Sequence, residues 1–229
     1  MPRASRTTAA AASGRQPQAT PTGAEPPNRR AEILAVASTL FARHGIANTT
    51  VRDIGEEAGI LSGSLYHHFT SKEEILEEII RGALDPDIER DVALGEQQAD
   101  PVAALRELIE RALRFTHTHP EVAAIIADSR RELWGRERFA FLRSRFAVIK
   151  GVWTAVLQRG IDEGTFRADL DPELVYRMAM GAISAAPDWY QPSGPRPIED
   201  VIEQFSTILL GGILGPVAPA PGGPLAGTT

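Results

Sequence analysis

A run of small and polar residues, from Ser62 to His67, carries groups that suit contacts with a polyanion. Gly63 lies between Ser62 and Ser64, so a helix that starts here would be thin, and its backbone amides could approach phosphates or base edges closely. Tyr66 and His67 follow with polar tips that suit phosphate oxygens. The pattern favours an element that enters the major groove of DNA; the alternative is a pair of core helices whose polar side chains are merely solvated.

The residues before this run predict how it is positioned. Thr50 and Asp53 have the spacing of a capping box that starts a first helix, and Gly59 can take the left-handed conformation that ends it. Ser62 or Ser64 can then cap a second helix. Apolar residues at helical spacing would face the core from both helices: Val51, Ile54, Ala58, Leu65 and Phe69. These signals together predict a helix-turn-helix.

A longer helix is predicted to follow and to join two domains. Ser71 starts this helix, and Glu74 three residues later has the spacing of a capping box. Lys72 in its first turn could meet a phosphate as a point charge. Pro86 should kink or end this helix, because proline lacks the N–H that the helix needs.

The segment from about Arg30 to Arg81 resembles the N-terminal DNA-binding domain of the TetR family of bacterial repressors. The motifs that carry the resemblance are FARHG (41–45), TTVRDI (49–54), AG (58–59), LYHHF (65–69) and SKEE (71–74). The resemblance implies a homodimeric transcriptional repressor that binds a near-palindromic operator in double-stranded DNA and is released by a ligand. Carried onto matching positions, the family's DNA contacts fall on Thr50, Arg52, Ser62, Gly63, Ser64, Tyr66, His67 and Lys72.

Composition sets limits on the class of protein. The chain has 229 residues, a net charge of −6 and no cysteine, which excludes disulfides, thiolate metal sites and cysteine-based redox sensing. No run approaches the roughly 18 apolar residues that a membrane span needs, so we expect a cytoplasmic protein without a membrane partner. Residues 29–70 hold equal numbers of arginines and acids. Dimerisation should therefore supply much of the effective DNA affinity.

The rest of the chain predicts an all-α fold of about nine helices, with a three-helix helix-turn-helix domain followed by a helical bundle. We expect a disordered tail at 1–28, a DNA-binding domain at 29–72, a ligand-binding and dimerisation domain at 73–214 and a second tail at 215–229. Helices are predicted at 29–44, 71–84, 101–118, 120–134, 139–160, 171–186 and 198–214. An arm bearing Arg3, Arg6 and Arg15 could reach a minor groove; a solvated tail is the alternative.

The last two predicted helices carry faces that suit helix–helix packing. The first face is made of small and apolar residues: Leu174, Met178, Gly181, Ala182 and Ala185. The second is an apolar stripe: Phe205, Ile208, Leu209, Gly212 and Ile213. Two copies of each helix would form a four-helix dimer interface, as the resemblance implies. The alternative is that both stripes complete the core of a single chain.

A ligand cavity is expected between the helices of the C-terminal bundle. The candidates are large apolar side chains and one arginine for an anionic group: Phe115, Ile126, Arg130, Trp134, Phe146, Trp153, Tyr176 and Met180. Each apolar candidate could equally belong to an ordinary core, and Arg130, like the neighbouring Arg131, to a solvated face.

The whole chain is also similar to actinobacterial TetR-type repressors of lipid and steroid catabolism, which respond to acyl-CoA thioesters. The shared phrases are GILSGSLYHHF (59–69), GIDEG (160–164), FRADL (166–170), LVYR (174–177) and WY (189–190). One departure is the stretch MAMGAIS (178–184), which has no basic or aromatic residue to bind a phosphate or adenine. A smaller apolar or carboxylate ligand is the alternative to an acyl-CoA.

No motif of an enzyme stands out. The pairs His67–His68 and His117–His119 lack the spacing that places two metal ligands on one helix face. Phosphate loops, dinucleotide fingerprints and nucleophile elbows are missing from the sequence. We therefore predict neither catalytic residues nor a metal or cofactor. The competing non-enzymatic hypothesis is an all-α module that binds a small molecule or a partner protein without binding DNA.

Overall fold

The computed structural model describes residues 29–215, which form nine α-helices and two short 3-10 helices. The α-helices are α1 (Arg29–His44), α2 (Val51–Glu57), α3 (Ser62–Leu65), α4 (Lys72–Gln97), α5 (Pro101–Thr118), α6 (Pro120–Gly135), α7 (Ala140–Asp162), α8 (Pro172–Ser184) and α9 (Ile198–Ile213). The predicted all-α fold is confirmed. The predicted tails fall outside the described residues, except Gly215, whose N–H donates to Thr165 O at 3.0 Å.

Local signals place the start and end of α2 where the sequence predicted them. Asp53 N–H donates to Thr50 Oγ1 at 3.1 Å, and Thr50 N–H donates to the Asp53 carboxylate at 2.8 Å, so both halves of the capping box form. Gly59, just after α2, has a φ of +66°. This left-handed conformation lets the chain turn sharply towards α3.

Helix α3 differs from its prediction in length and in its start. It spans only Ser62–Leu65, and Leu61 occupies the N-cap position without a side-chain hydrogen bond, so neither serine caps it. The carbonyl of Leu61 already accepts from the N–H groups of Ser64 and Leu65, which moves the start one residue earlier than a serine cap would. Phe69 still faces the core and is only 1% exposed.

Helix α4 does not end at Pro86. It continues as one 26-residue helix from Lys72 to Gln97. Ala83, Leu84 and Ile88 are buried on either side of the proline. Their packing against the bundle, mostly against α7, offsets the hydrogen bond that Pro86 removes. The helix thereby extends well into the C-terminal domain.

Two regions of core share α4. Helix α1 packs against α4 and α2, and α2 packs against α3, around fully buried residues that include Ile33, Phe41, Ile54, Leu65, Phe69 and Ile75. Helix α4 also packs with α5 and α7, and α9 lies against α5. Within residues 29–215, no helix is long and apolar enough to cross a membrane.

Candidate DNA-reading surface and ligand cavity

The exposed surface of α3 and the following turn carries the polar run from the sequence. Ser64 and His67 are exposed, and the side chain of Tyr66 is 56% exposed. A Cβ atom built on Gly63 would meet no atom within 4 Å, so this position opens directly to solvent. Ser62 begins the helix. Gly63, Ser64, Tyr66 and His67 thus lie together on one outer surface that nothing in the described chain covers.

Two further predicted contacts lie at the start of α2. Thr50 is exposed, although its side chain is engaged in the capping box. Hydrogen bonds from the backbone N–H and then the hydroxyl of Thr50 hold the pKa of Asp53 below its usual range. Arg52 Nε donates to Glu56 at 2.7 Å, and the arginine side chain is 79% exposed. An ion pair this exposed contributes little, so the guanidinium can exchange Glu56 for a phosphate at small cost.

Lys72 lies differently from the other predicted contacts. Its ammonium donates to Ile46 O at 2.7 Å and to Thr49 O at 2.8 Å, in a half-buried site. Two of the three N–H donors therefore tie the start of α4 to the loop between α1 and α2. Lys72 positions Thr50 in this way, and one donor is left for a phosphate.

Two arginines that the sequence analysis did not single out hold the helix-turn-helix together. Arg30 donates to the Glu78 carboxylate and to His68 O, and its guanidinium stacks over the Phe69 ring at 4.0 Å. Arg29 donates to Ala58 O at 2.8 Å. These partners lie 29 to 48 residues away, so no local pattern could have identified these roles, although Arg29 also pairs with Glu32 within α1. Both charges are used inside the domain rather than on its DNA-reading surface.

The predicted ligand cavity is present between α4, α5, α6, α7 and α8, with a volume of about 410 Å³. Six of the eight predicted residues line it: Phe115, Ile126, Arg130, Phe146, Trp153 and Met180. Trp134 and Tyr176 lie behind this wall. The Trp134 ring packs on Phe146 with ring centroids 5.2 Å apart, and Tyr176 meets the edge of Trp153 at 6.1 Å.

Helix α4 supplies a wall of the cavity that the sequence analysis missed. Four residues of α4 line the cavity together with residues of α7 and α8: Leu84, Asp87, Ile88 and Asp91. The prediction that α4 ends at Pro86 hid this wall, because three of these four residues lie beyond the proline. An uninterrupted apolar spacing of Leu84 and Ile88 was the available signal.

A half-buried ion pair joins α4 to α5 at the cavity. Arg111 Nε donates to the Asp91 carboxylate, and Arg111 Nη2 donates to Asp87 O at 2.9 Å. The two side chains are 22% and 15% exposed. Burial raises the pKa of Asp91 above its usual range, and the Arg111 guanidinium opposes that rise. The pair is one of the polar parts of a mostly apolar cavity lining.

The face predicted for dimerisation is open in the single chain. Leu174 and Met178 on α8 are 55% and 67% exposed, and Ile208 on α9 is 74% exposed. The small residues of the same face are exposed as well: Gly181, Ala182, Ala185 and Gly212. Phe205 and Leu209 are half-buried. Ile213 is a correction: it is only 4% exposed and belongs to the core of its own chain.

Comparisons with known proteins agree with this geometry. Residues 33–79 match the family described as bacterial regulatory proteins, tetR family. Residues 98–213 match the family described as tetracyclin repressor-like, C-terminal domain.

Individual relatives cover most of the chain. The HTH-type transcriptional repressor KstR2 of Mycobacterium tuberculosis (strain ATCC 25618 / H37Rv) is 40% identical over 186 residues, which is 81% of this chain and 93% of the relative. The solved structure of the ketosteroid transcriptional regulator KstR2 of Mycobacterium tuberculosis has a TM-score of 0.79 at 39% identity, covering 84% of this chain and 98% of that one. AibR, solved with isovaleryl coenzyme A and operator DNA, shares the fold at a TM-score of 0.71 and 22% identity, covering 80% and 98%.

Proposed function

The chain belongs to the TetR family of DNA-binding transcriptional regulators, and from this premise we propose that it is a dimeric repressor released from its operator by a small ligand. The observation that carries the proposal is the continuity of α4 from Lys72 to Gln97. At the start of this helix Lys72 holds the loop next to Thr50, and further along the helix Ile88 and Asp91 line the cavity. A helix of this length spans about 39 Å, so it can connect the two sites directly.

The DNA-reading step uses two copies of the α2–α3 unit. Two α3 surfaces would enter successive major grooves about 34–36 Å apart, which requires a near-palindromic operator. Ser64, Tyr66, His67 and Arg52 would contact phosphates and base edges, with Gly63 allowing close approach. A regulator that reads genomic DNA in this way would act in the bacterial cytoplasm.

The dimer would form through α8 and α9. Leu174, Met178 and Ile208 form an exposed apolar face next to small residues that allow close helix approach. Such a face on a water-soluble chain favours burial against a second copy. The resulting two-fold symmetry would fix the distance between the two α3 surfaces.

The cavity supports a ligand with an apolar acyl or ring portion. Its volume of about 410 Å³ lies in the range of small-molecule sites, and its lining is mostly apolar. Four carboxylates line the cavity against two guanidiniums, Arg111 and Arg130, and Arg111 is already paired with Asp91, so the lining does not suit the several phosphates of a coenzyme A. We therefore propose that an acyl-CoA thioester would place its acyl or ring portion in the cavity and its charged portion outside. The ketosteroid regulator among the relatives supports a ring-bearing apolar group.

Release would follow from a shift of α4. Three ion pairs join an acidic edge of α4 to arginines on or next to α6 and α7: Glu73–Arg136, Glu77–Arg138 and Asp85–Arg145. A ligand that displaces the cavity wall would move α4 against these contacts and change the spacing of the two α3 surfaces. The difference in ligand affinity between the two states limits how far DNA affinity can fall.

The test is fluorescence anisotropy of the purified protein on its own upstream DNA and on scrambled DNA at matched salt, followed by titration with acyl-CoA thioesters and the corresponding free acids. We expect selective binding by a dimer and release by one of the apolar ligands. Ligand and DNA should weaken each other's binding by the same factor.

Each other outcome has a defined meaning. Release by the free acid alone would discard the thioester and keep the repressor. Selective binding that no apolar ligand reverses would overturn the ligand mechanism. A failure to select any DNA site, including from a genome-wide library, would contradict the operator proposal.

A further inference from the structure

Leu61 is an apolar side chain placed where solvent, and not the core, surrounds it. It is 80% exposed, which is the greatest exposure among the large hydrophobic side chains of the described residues. It directly precedes α3 and therefore adjoins the outer surface that carries Gly63, Ser64 and Tyr66. Its position is continuous with the DNA-reading surface.

The folding of the domain does not explain Leu61. The residue stands at the N-cap of α3, where serine, threonine, aspartate or asparagine would each accept a hydrogen bond from the helix, and leucine accepts none. Its side chain also takes no part in the buried cluster that Leu65 and Phe69 complete. Leucine here leaves the helix uncapped, and its exposed side chain adds almost no burial to the stability of the free protein.

Operator DNA offers one apolar group on the floor of the major groove, the 5-methyl group of thymine. We propose that Leu61 contacts this methyl group at one thymine in each half-site and thereby helps to determine the operator sequence. Gly63 has open space around it, so the backbone beside Leu61 can approach the base edges. The proposal rests on operator reading by the α2–α3 unit and adds an apolar contact to its polar ones.

The magnitude of the contact can be estimated from the burial of one methyl group. Burial of about 0.8 kcal/mol corresponds to roughly a fourfold change in affinity. Two half-sites should multiply to about sixteenfold, because well-separated contacts add in free energy. This is large enough to measure and small enough to leave binding detectable.

The experiment replaces thymine by deoxyuridine, which removes only the methyl group, at each thymine of the operator in turn. With the unsubstituted protein, one thymine per half-site should weaken binding about fourfold when replaced. Leu61→Ala changes both subunits, so it should bind the original operator about sixteenfold more weakly, as the unsubstituted protein should bind an operator with both thymines replaced, and it should show no further loss with uracil. Leu61→Met should keep most of the sensitivity. Val148→Ala, at an exposed apolar residue of α7, is the control and should leave the thymine dependence unchanged.

A second measurement separates the contact from a structural role. Leu61→Ser places a hydroxyl at the N-cap of α3 and should raise the melting temperature by roughly 2–4 °C. The same variant should lose the thymine dependence. Opposite changes in stability and operator recognition are expected from a residue retained for DNA contact.

The proposal is overturned if Leu61→Ala keeps the same uracil sensitivity as the unsubstituted protein, or if no thymine replacement weakens binding. Either result, with selective binding to the unmodified operator intact, would remove Leu61 while leaving the repressor in place. Loss of selectivity by the unsubstituted protein would instead count against operator reading itself.

Discussion

The interior of the DNA-binding domain is packed closely throughout, whereas the closely packed core of the ligand-binding domain also surrounds a cavity. Ile33, Ile54 and Ile75 have no exposed surface, and Leu65 and Phe69 have 1% each. In the ligand-binding domain, Phe115, Ile126, Phe146 and Met180 are only partly buried, because they border the cavity of about 410 Å³. The first domain carries its candidate functional groups on the outside, and the second carries them on the inside.

This difference in packing corresponds to the two proposed functions of the molecule, DNA binding and ligand binding. Close packing keeps the α2 and α3 surfaces in a fixed relative position, which a reader of base sequence requires. A cavity leaves packing contacts unmade and lowers stability until a ligand restores them. Substitutions should therefore affect stability and function together in the first domain's interior and separately around the cavity.

The largest effect is expected for Phe69→Ala. Removing this buried ring should lower the free energy of unfolding of the DNA-binding domain by roughly 3–5 kcal/mol, because it leaves a cavity and removes the surface on which Arg30 stacks. Chemical denaturation followed by circular dichroism measures the loss, and DNA binding should fail with it. Tyr66→Ala is the control: at an exposed residue it should change stability by less than about 0.5 kcal/mol and still weaken DNA binding. A loss below about 1 kcal/mol for Phe69→Ala would contradict the close packing.

Lys72→Ala should have the next largest effect, because Lys72 both holds the α1–α2 loop and is a predicted DNA contact. Two carbonyls would lose their donor, at a cost of roughly 1–3 kcal/mol in the free energy of unfolding. The slope of log affinity against log salt should also fall by about one for each subunit, if the third donor meets a phosphate.

The control for this variant is Lys72→Arg, which keeps the charge and should keep the salt slope. An unchanged slope in Lys72→Ala, together with lowered stability, would restrict Lys72 to positioning the α1–α2 loop.

Filling the cavity should separate stability from function. Ala127 lines the cavity, so Ala127→Leu should raise the free energy of unfolding by about 0.5–2 kcal/mol. It should leave operator affinity unchanged and weaken the response to ligand by more than about tenfold. Thermal melting and anisotropy measure both effects. Ala155→Leu, the same change at an exposed residue of α7, should alter neither; a full ligand response in Ala127→Leu would place the ligand elsewhere.

The smallest effect concerns the pH dependence of the DNA-binding domain. Hydrogen bonds from the hydroxyl and then the backbone N–H of Thr70 hold the pKa of Glu74 below its usual range. A carboxyl with a lowered pKa stabilises the fold above its unfolded pKa and loses that contribution as the pH falls through the folded value. The difference in melting temperature between the unsubstituted protein and Glu74→Gln should therefore shrink from pH 7 towards acid. Glu57→Gln, at an exposed carboxylate of α2, serves as the comparison. A constant difference for Glu74→Gln would disprove the contribution of the hydrogen bonds from Thr70 to Glu74.

Much of the DNA-binding domain followed from local sequence signals. Thr50, Asp53 and Gly59 act within a few residues of one another, so their spacing alone predicted the helix start and the turn. The four-residue length of α3 and its N-cap at Leu61 did not follow from the sequence. The sequence favoured a serine as the N-cap, and the helix begins one residue earlier than that would allow. The inward partners of Arg30 also did not follow, since Glu78 lies 48 residues away.

The cavity was predictable in kind and only partly in composition. Six of the residues predicted for a ligand site in α5 to α8 line the cavity, because a helix presents one face consistently. It could not show that Trp134 and Tyr176 pack behind other rings, since their depth depends on how neighbouring helices cross. It also missed the wall that α4 provides, because the local penalty of Pro86 is outweighed by packing against α7.

By itself, the sequence determined an all-α fold with a helix-turn-helix, because capping, turns and periodicity are short-range effects that act wherever those residues occur, and its motifs carried the resemblance to the TetR family. The tertiary structure decided which charges remain available and what α4 connects. Arg29, Arg30 and Lys72 are equally positive in the sequence. Only the tertiary structure pairs the two arginines with Ala58 O and Glu78 and bonds the lysine to two backbone carbonyls. The link from cavity to DNA-reading surface likewise exists only because long-range packing keeps α4 continuous through Pro86.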